Sequence, residues 1–222
     1  PSAGIVVGEA GSTAEVQRWA AAWSDAQLPA GGAEFFRALL ARAGHTPVAT
    51  RARRTTRPTA DPHLFVCGTC SDAAREFIRA ARQRRKPVYS LPRGARMKVA
   101  AANAVAREAI AALRRCPGVI LHTGLARVRE PRAARLLTTD LVRIAKSVLQ
   151  QARLGQIYVE GGATAITLVR RMGWDHLTVL RELAPGVVTL GVGGAPCVWL
   201  TVKPGSYRWP DEIRKLAGLT PA

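Results

Sequence analysis

The segment Gln156-Ile-Tyr-Val-Glu-Gly-Gly-Ala-Thr-Ala165 couples an apolar run to two glycines and a small hydroxyl residue. The following Ile166, Leu168, Val169 and Met172 recur at a spacing that buries one side of a helix. A strand, a glycine turn and a helix N-terminus in that order aim several backbone N–H groups at one point. The positive end of the helix dipole stands behind them. Such a point favours phosphate.

Two further turns have the same character. Val66-Cys-Gly-Thr-Cys-Ser71 follows an apolar run and precedes a helical pattern; Gly68 permits close backbone approach, and Ser71 or Asp72 can cap the helix. Lys203-Pro-Gly-Ser-Tyr207 follows another apolar run, and there Gly205 would let a nucleotide lie against backbone. Taken singly, each is also readable as an ordinary turn. Neither a Walker A pattern nor a G-x-G-x-x-G after the first strand is present, which argues against P-loop enzymes and standard dinucleotide domains. Cys67 and Cys70 have C-x-x-C spacing, but no second pair follows, and Cys67 reads as a buried strand residue. His45, His63, His122 and His176 are scattered without ligand spacing; His122 reads as a structural histidine at a strand end.

The elements that must position these turns alternate. Gly4–Gly8 reads as a short strand, and helices are expected over 13–23 and 34–43 on either side of a glycine turn. Residues 45–62 carry three prolines and four arginines without apolar periodicity, and read as a linker. Beyond it, strands are expected at 63–67, 87–90, 118–122 and 156–159, with helices over 72–84, about 97–115, about 138–153 and after Gly162. The last part, 177–202, is β-rich, and a short helix spans 210–216. Apolar strands without polar alternation, separated by helices, imply α/β architecture: a mainly parallel sheet flanked by helices on both faces, with a β-rich C-terminal part. Ligands in such sheets bind at the C-terminal ends of strands, where the glycine turns fall.

Composition narrows the class. The 222 residues suit one large domain or a domain with an appended piece, and a chain beginning at Pro1 reads as part of a longer protein. No apolar run approaches the ~20 residues that span a bilayer. The formal charge of +18 raises nucleic acid as a partner, but the basic residues are mostly Arg amid abundant Ala, with no aromatic-interleaved stripe and no zinc-finger spacing. The charge is therefore read as a surface bias that still attracts polyanions such as ATP. Four cysteines without a paired framework fit a reduced, cytoplasmic chain.

In order along the chain, Leu64-Phe-Val-Cys-Gly-Thr-Cys-Ser71, Ile157-Tyr-Val-Glu-Gly-Gly-Ala-Thr-Ala165, Glu182-Leu-Ala-Pro-Gly-Val187, Leu200-Thr-Val-Lys-Pro-Gly205 and Asp211 resemble the nucleotide-binding C-terminal domain of the four-carbon acid sugar kinases. The resemblance covers about 60–216. It assigns 63–222 to that domain, 45–62 to the linker and 1–44 to the closing segment of an N-terminal sugar-acid-binding domain. It implies ATP and Mg²⁺ as cofactors and phosphorylation of a tetronate-type sugar acid held by the N-terminal portion. By position, Ser71 would touch the nucleotide, Gly161, Gly162, Ala163 and Thr164 would face its phosphates, and Gly205 would close over it. Three departures bear on catalysis. Ala163 stands where the family has an acid, Lys203-Pro-Gly-Ser-Tyr replaces a glycine-richer turn, and the second proline after Pro185-Gly-Val is missing. A non-catalytic relative that binds a nucleotide or another phosphate ligand is the alternative, and an Arg-rich nucleic-acid binder a second. Trp19, Trp23, Phe35 and Phe36 read as core packing, with a homo-oligomer interface as the other use.

Overall fold

The computed structural model describes residues 4–45, 62–91, 97–124, 128–193 and 198–219. The expected linker, apart from its ends, and Cys197 lie outside these residues. The chain divides into two compact units, Pro1–Arg51 and Ala52–Ala222.

The first unit holds α1 (Thr13–Ala22) and α2 (Ala33–Arg42). Ser12 caps α1 by accepting from the Glu15 N–H, while Glu15 reaches back to the N–H of Gly11 at 2.8 Å. Arg42 ties the helices by donating to the Ala20 carbonyl at 2.7 Å. The expected strand at Gly4–Gly8 does not form. A lone apolar run needs a neighbour to satisfy its backbone, and among the described residues no strand pairs with it. Nor do the aromatics make a core: Phe36 is 62% and Trp19 40% exposed. The Trp19 and Phe35 rings cover the backbones of Gly8 and Gly31 instead.

The second unit runs β1 (His63–Cys67), α3 (Asp72–Gln83), β2 (Val88–Ser90), α4 (Val99–Leu113), β3 (Gly118–His122), α5 (Pro131–Gln151), β4 (Gln156–Glu160), α6 (Gly162–Met172), β5 (Leu177–Ala184), β6 (Val187–Val192), β7 (Trp199–Lys203) and α7 (Asp211–Leu216). These strands form one seven-stranded sheet in the order β2-β3-β1-β4-β7-β6-β5. The first five are mutually parallel; β6 runs antiparallel to β7 and to β5. The β-rich C-terminal part is thus a hairpin, turning at Pro185-Gly186 with Gly186 at φ 75°, added to a parallel sheet.

Each residue of β1 and β4 is buried, which explains why their sequences do not alternate with polar residues. Leu64, Val66, Val119, Leu121, Ile157, Val159 and Leu200 point to the face covered by α4, α5 and α6. Phe65, Cys67, Ile120 and Tyr158 point the other way, under α3 and α7. The two cores differ in kind. On the α4–α6 side, Ala102, Ala106, Ala109 and Ala112 let α4 lie close. On the other, Phe65 stacks on Tyr158 at 4.6 Å and meets the Trp209 ring edge-on at 6.0 Å.

Helix α5 begins at Pro131 instead of Thr138. Its first turns carry Arg132 and Arg135 among Ala133, Ala134, Leu136 and Leu137, and so continue the basic run before them in the sequence; the start is made by Pro131 and by Glu130, whose carboxylate accepts from the N–H groups of Arg132 and Ala133. Phe65 touches most members of the aromatic cluster, so Phe65→Ala should cost roughly 3–5 kcal/mol of stability, read as a lowered denaturant midpoint at unchanged m-value.

Candidate functional site

Strands β1, β4 and β7 end flush: Cys67 is level with Glu160, and Glu160 with Lys203. Each ladder is then extended by one bond into the turn beyond it. The Gly68 N–H donates to the Glu160 carbonyl at 3.1 Å, and the Gly161 N–H donates to the Lys203 carbonyl at 2.9 Å. The three glycine turns therefore lie side by side.

Side chains lock them together. A Cβ on Gly68 would stand 1.8 Å from the Thr164 hydroxyl oxygen, so this glycine is required by the close approach of the α6 turn. A Cβ on Gly205 would stand 3.0 Å from the Thr69 hydroxyl oxygen, placing the third turn against the first. The Ser71 hydroxyl accepts from the Ala74 N–H at 3.2 Å, capping α3, and donates to the Gly205 carbonyl at 2.6 Å. Thus Ser71, Thr164 and Gly205, which are far apart in sequence, meet at one place. Thr164 is buried among its neighbours, while Gly162 and Ala163 are exposed.

Gly161 takes φ 98°, a left-handed value that turns β4 into α6 and that a larger residue adopts only with strain. No side chain caps this helix. The N–H groups of Gly162, Ala163 and Thr164 have no acceptor within their own helix, and those of the exposed Gly162 and Ala163 stand at the surface of the site. A Cβ on Gly162 would meet nothing within 4 Å, so a side chain at this position would enter open space. The Ala163 methyl offers no ligand. Among the described residues no three His, Cys, Asp or Glu side chains gather as a metal cage.

Beneath the turns lies a row that sequence reasoning did not assemble. His122, Cys67, Glu160 and Lys203 occupy adjacent positions on β3, β1, β4 and β7. Glu160 and Lys203 are fully buried with 3.6 Å between carboxylate and ammonium. Burial pushes the Glu160 carboxyl up to about 7, with Lys203 opposing; burial likewise lowers the Lys203 ammonium, with Glu160 opposing. Burial drives the Cys67 thiol well above its ordinary value, so it stays neutral and unreactive. Burial and then Arg82, whose guanidinium lies 3.1 Å from Nε2, hold His122 down to about 4, a neutral ring in keeping with a structural role. Cys70 donates to the Gly124 carbonyl at 3.5 Å, so the two C-x-x-C thiols have different surroundings. The available signal was two opposite charges closing strands that are otherwise uncharged; recognising the pair required knowing that β4 and β7 are neighbours.

A parallel sheet with open helix N–H groups at its C-terminal edge is the α/β arrangement suited to an anionic ligand. The chain belongs to the family of nucleotide-binding C-terminal domains, whose family model matches residues 64–207. This agrees with the resemblance to the C-terminal domain of the four-carbon acid sugar kinases. No curated protein matches the chain. Among solved structures it is similar to a DUF1537-family protein from Haemophilus influenzae (TM-score 0.63, 18% identity, covering 95% of this chain and 52% of that one). It is also similar to a DUF1537 protein from Bordetella bronchiseptica, a domain-swapped dimer with bound citrate (TM-score 0.59, 20% identity, 95% and 52%). The chain therefore spans about half the length of these structures. Among the described residues no helix is long and apolar enough to cross a membrane.

Two outcomes are expected from this geometry. Gly68→Ala should destabilise by about 1–3 kcal/mol. Adding Thr164→Ala should restore only part of that, because the Thr164 Cβ would itself be 2.8 Å from the new methyl. Glu160 binds its proton more tightly folded, at about 7, than unfolded, at its ordinary 4.5. Its contribution is thus present below about pH 4.5 and lost as pH rises through about 7. Denaturation across that window should show the stability of the parent chain falling relative to Glu160→Gln.

Proposed function

We propose that this chain binds ATP at the head of α6, as the nucleotide-binding part of an ATP-dependent kinase for a four-carbon sugar acid. The observation that carries the reading is the convergence of the three glycine turns, with Thr164 packed on Gly68 and Ser71 bonded to Gly205. In this reading the Gly162 and Ala163 N–H groups, with the α6 dipole behind them, receive the phosphates. Thr164 fixes the α6 turn from below, Ser71 aligns the first turn with the third, and Gly205 lets the nucleotide lie against backbone. Phosphoryl transfer rests mainly on positioning and charge neutralisation, which such turns supply in part.

The site fits a triphosphate better than it fits Mg²⁺. Ala163 carries no carboxylate, and Glu160 is buried and directed at Lys203. Mg²⁺ would have to come with the nucleotide, largely held by phosphate and water. That observation favours, as a second reading, a relative that binds nucleotide without transferring phosphate. The sugar acid would be held by an N-terminal portion to which residues 1–44 contribute. The exposed Trp19 and Phe36 suit an interface, with a second copy or with that portion. Among the described residues Cys67, Cys70 and Cys116 form no disulfide, which suits a cytoplasmic setting.

Calorimetric titration tests the site. Gly162→Glu should keep or raise thermal stability, because the side chain meets open space and an acid suits a helix N-terminus. It should weaken ATP binding by roughly tenfold or more, through charge repulsion. Undiminished ATP affinity in this variant would place the nucleotide elsewhere. Ala163→Asp should make ATP affinity respond to Mg²⁺ more strongly than in the parent; phosphotransfer gained with it would favour a weakened kinase over a repurposed fold.

A further inference from the structure

The Glu160–Lys203 pair is too well built to be only a stray buried charge. The Lys203 ammonium donates to the carbonyls of Pro204, at 3.0 Å, and Tyr207, and lies 5.2 Å from the Trp209 ring centre. Those two carbonyls bracket the turn that carries Gly205, whose own carbonyl accepts from Ser71. A buried ammonium without such acceptors would be costly, so the turn and the lysine hold one another in place.

Glu160 is differently served. Neither of its oxygens makes a hydrogen bond of normal geometry; Lys203 stands 3.6 Å away, and the Lys203 ammonium, the Trp209 indole and the Cys67 thiol oppose its burial only in part. Desolvation is therefore incompletely compensated, and the carboxyl is poised near neutrality, at about 7. The groups facing it are Lys203 from β7, the Cys67 thiol from β1 and the non-titrating Trp209 from the segment before α7. Glu76, an acid on α3, is engaged by Arg208 and Arg214. Glu160 is also the residue immediately before Gly161, so its charge and that of an anion at the head of α6 would interact through poorly polarisable protein. Bringing phosphates there repels the carboxylate, and a proton removes the repulsion. The lysine charge then remains, and it favours the anion.

We propose that Glu160 and Lys203 are positioning residues of the phosphate site: Lys203 holds the 204–207 turn, and Glu160 takes up a proton from solvent as the phosphates bind. This rests on the nucleotide reading above. Affinity is then greatest below neutral pH. It falls as pH rises through about 7 and beyond, by no more than about tenfold per pH unit for one proton.

The experiment is titration of ATP into the full chain from pH 6 to 8.5, in buffers of differing ionisation heat. The same series is run on Glu160→Gln, so that ionisation of ATP itself cancels in the difference. The parent should take up more protons than the variant and show the steeper loss of affinity with pH. Equal proton uptake and equal slopes in both would overturn the proposal. A carbon-13 titration of the Glu160 carboxyl in the parent chain gives an independent reading: its midpoint should rise when ATP is present, and an unmoved midpoint with ATP bound would sink the idea. Failure of the parent to bind ATP at all would instead remove the nucleotide reading, and this proposal with it.

Discussion

Parallel register is the constraint from which the rest of the site follows. Strands β1, β4 and β7 pair residue for residue, so Cys67, Glu160 and Lys203 end at one level. Whatever chain leaves those ends must leave side by side. The turns at 68–71, 161–164 and 204–207 are consequently neighbours although up to 139 positions separate them, counting from 68 to 207. Glycine at 68 and 205 is what lets them touch, because Thr164 and Thr69 occupy the room a side chain would need.

The same register brings charges together below the turns. Residues level on adjacent parallel strands share a face, so the acid ending β4 and the lysine ending β7 meet inside the protein. A buried pair of this kind is not in itself strong evidence for stability, since desolvation offsets much of the attraction. Its geometry explains its place better. The lysine organises backbone carbonyls that shape the third turn, and the aromatic cluster of Phe65, Tyr158 and Trp209 excludes water from beneath. The result is a rigid floor under an open, N–H-lined surface.

On the proposed reading, that floor separates what would bind from what would transfer. The groups proposed to receive phosphate are backbone N–H groups, a helix dipole and small residues, none of which depends on the side chain at 163. The resemblance places an acid at 163, and here that residue carries a methyl group. The fold and the turns are thus independent of the one side chain on which the proposal would rest metal organisation.

Much of this was legible in the sequence. Apolar strands between amphipathic helices specified a mainly parallel α/β sheet, and glycine with small hydroxyl residues after strands marked the turns that the structure brings side by side. Local signals of that sort suffice because strand burial and turn geometry are written in neighbouring residues. Other features were illegible for the same reason. The apolar Gly4–Gly8 run has the composition of a strand, but a strand exists only through a partner. The start of α5 is fixed by Glu130 and Pro131, a cap that reads in the sequence as part of a basic loop. The exposure of Phe36 depends on what packs beside it. Strand order was the decisive unknown: nothing local says that β4 lies between β1 and β7. Only the tertiary structure made Glu160 and Lys203 a buried pair and set Ser71 against Gly205, because contacts between distant residues are selected by packing of the whole sheet and leave no pattern in the chain.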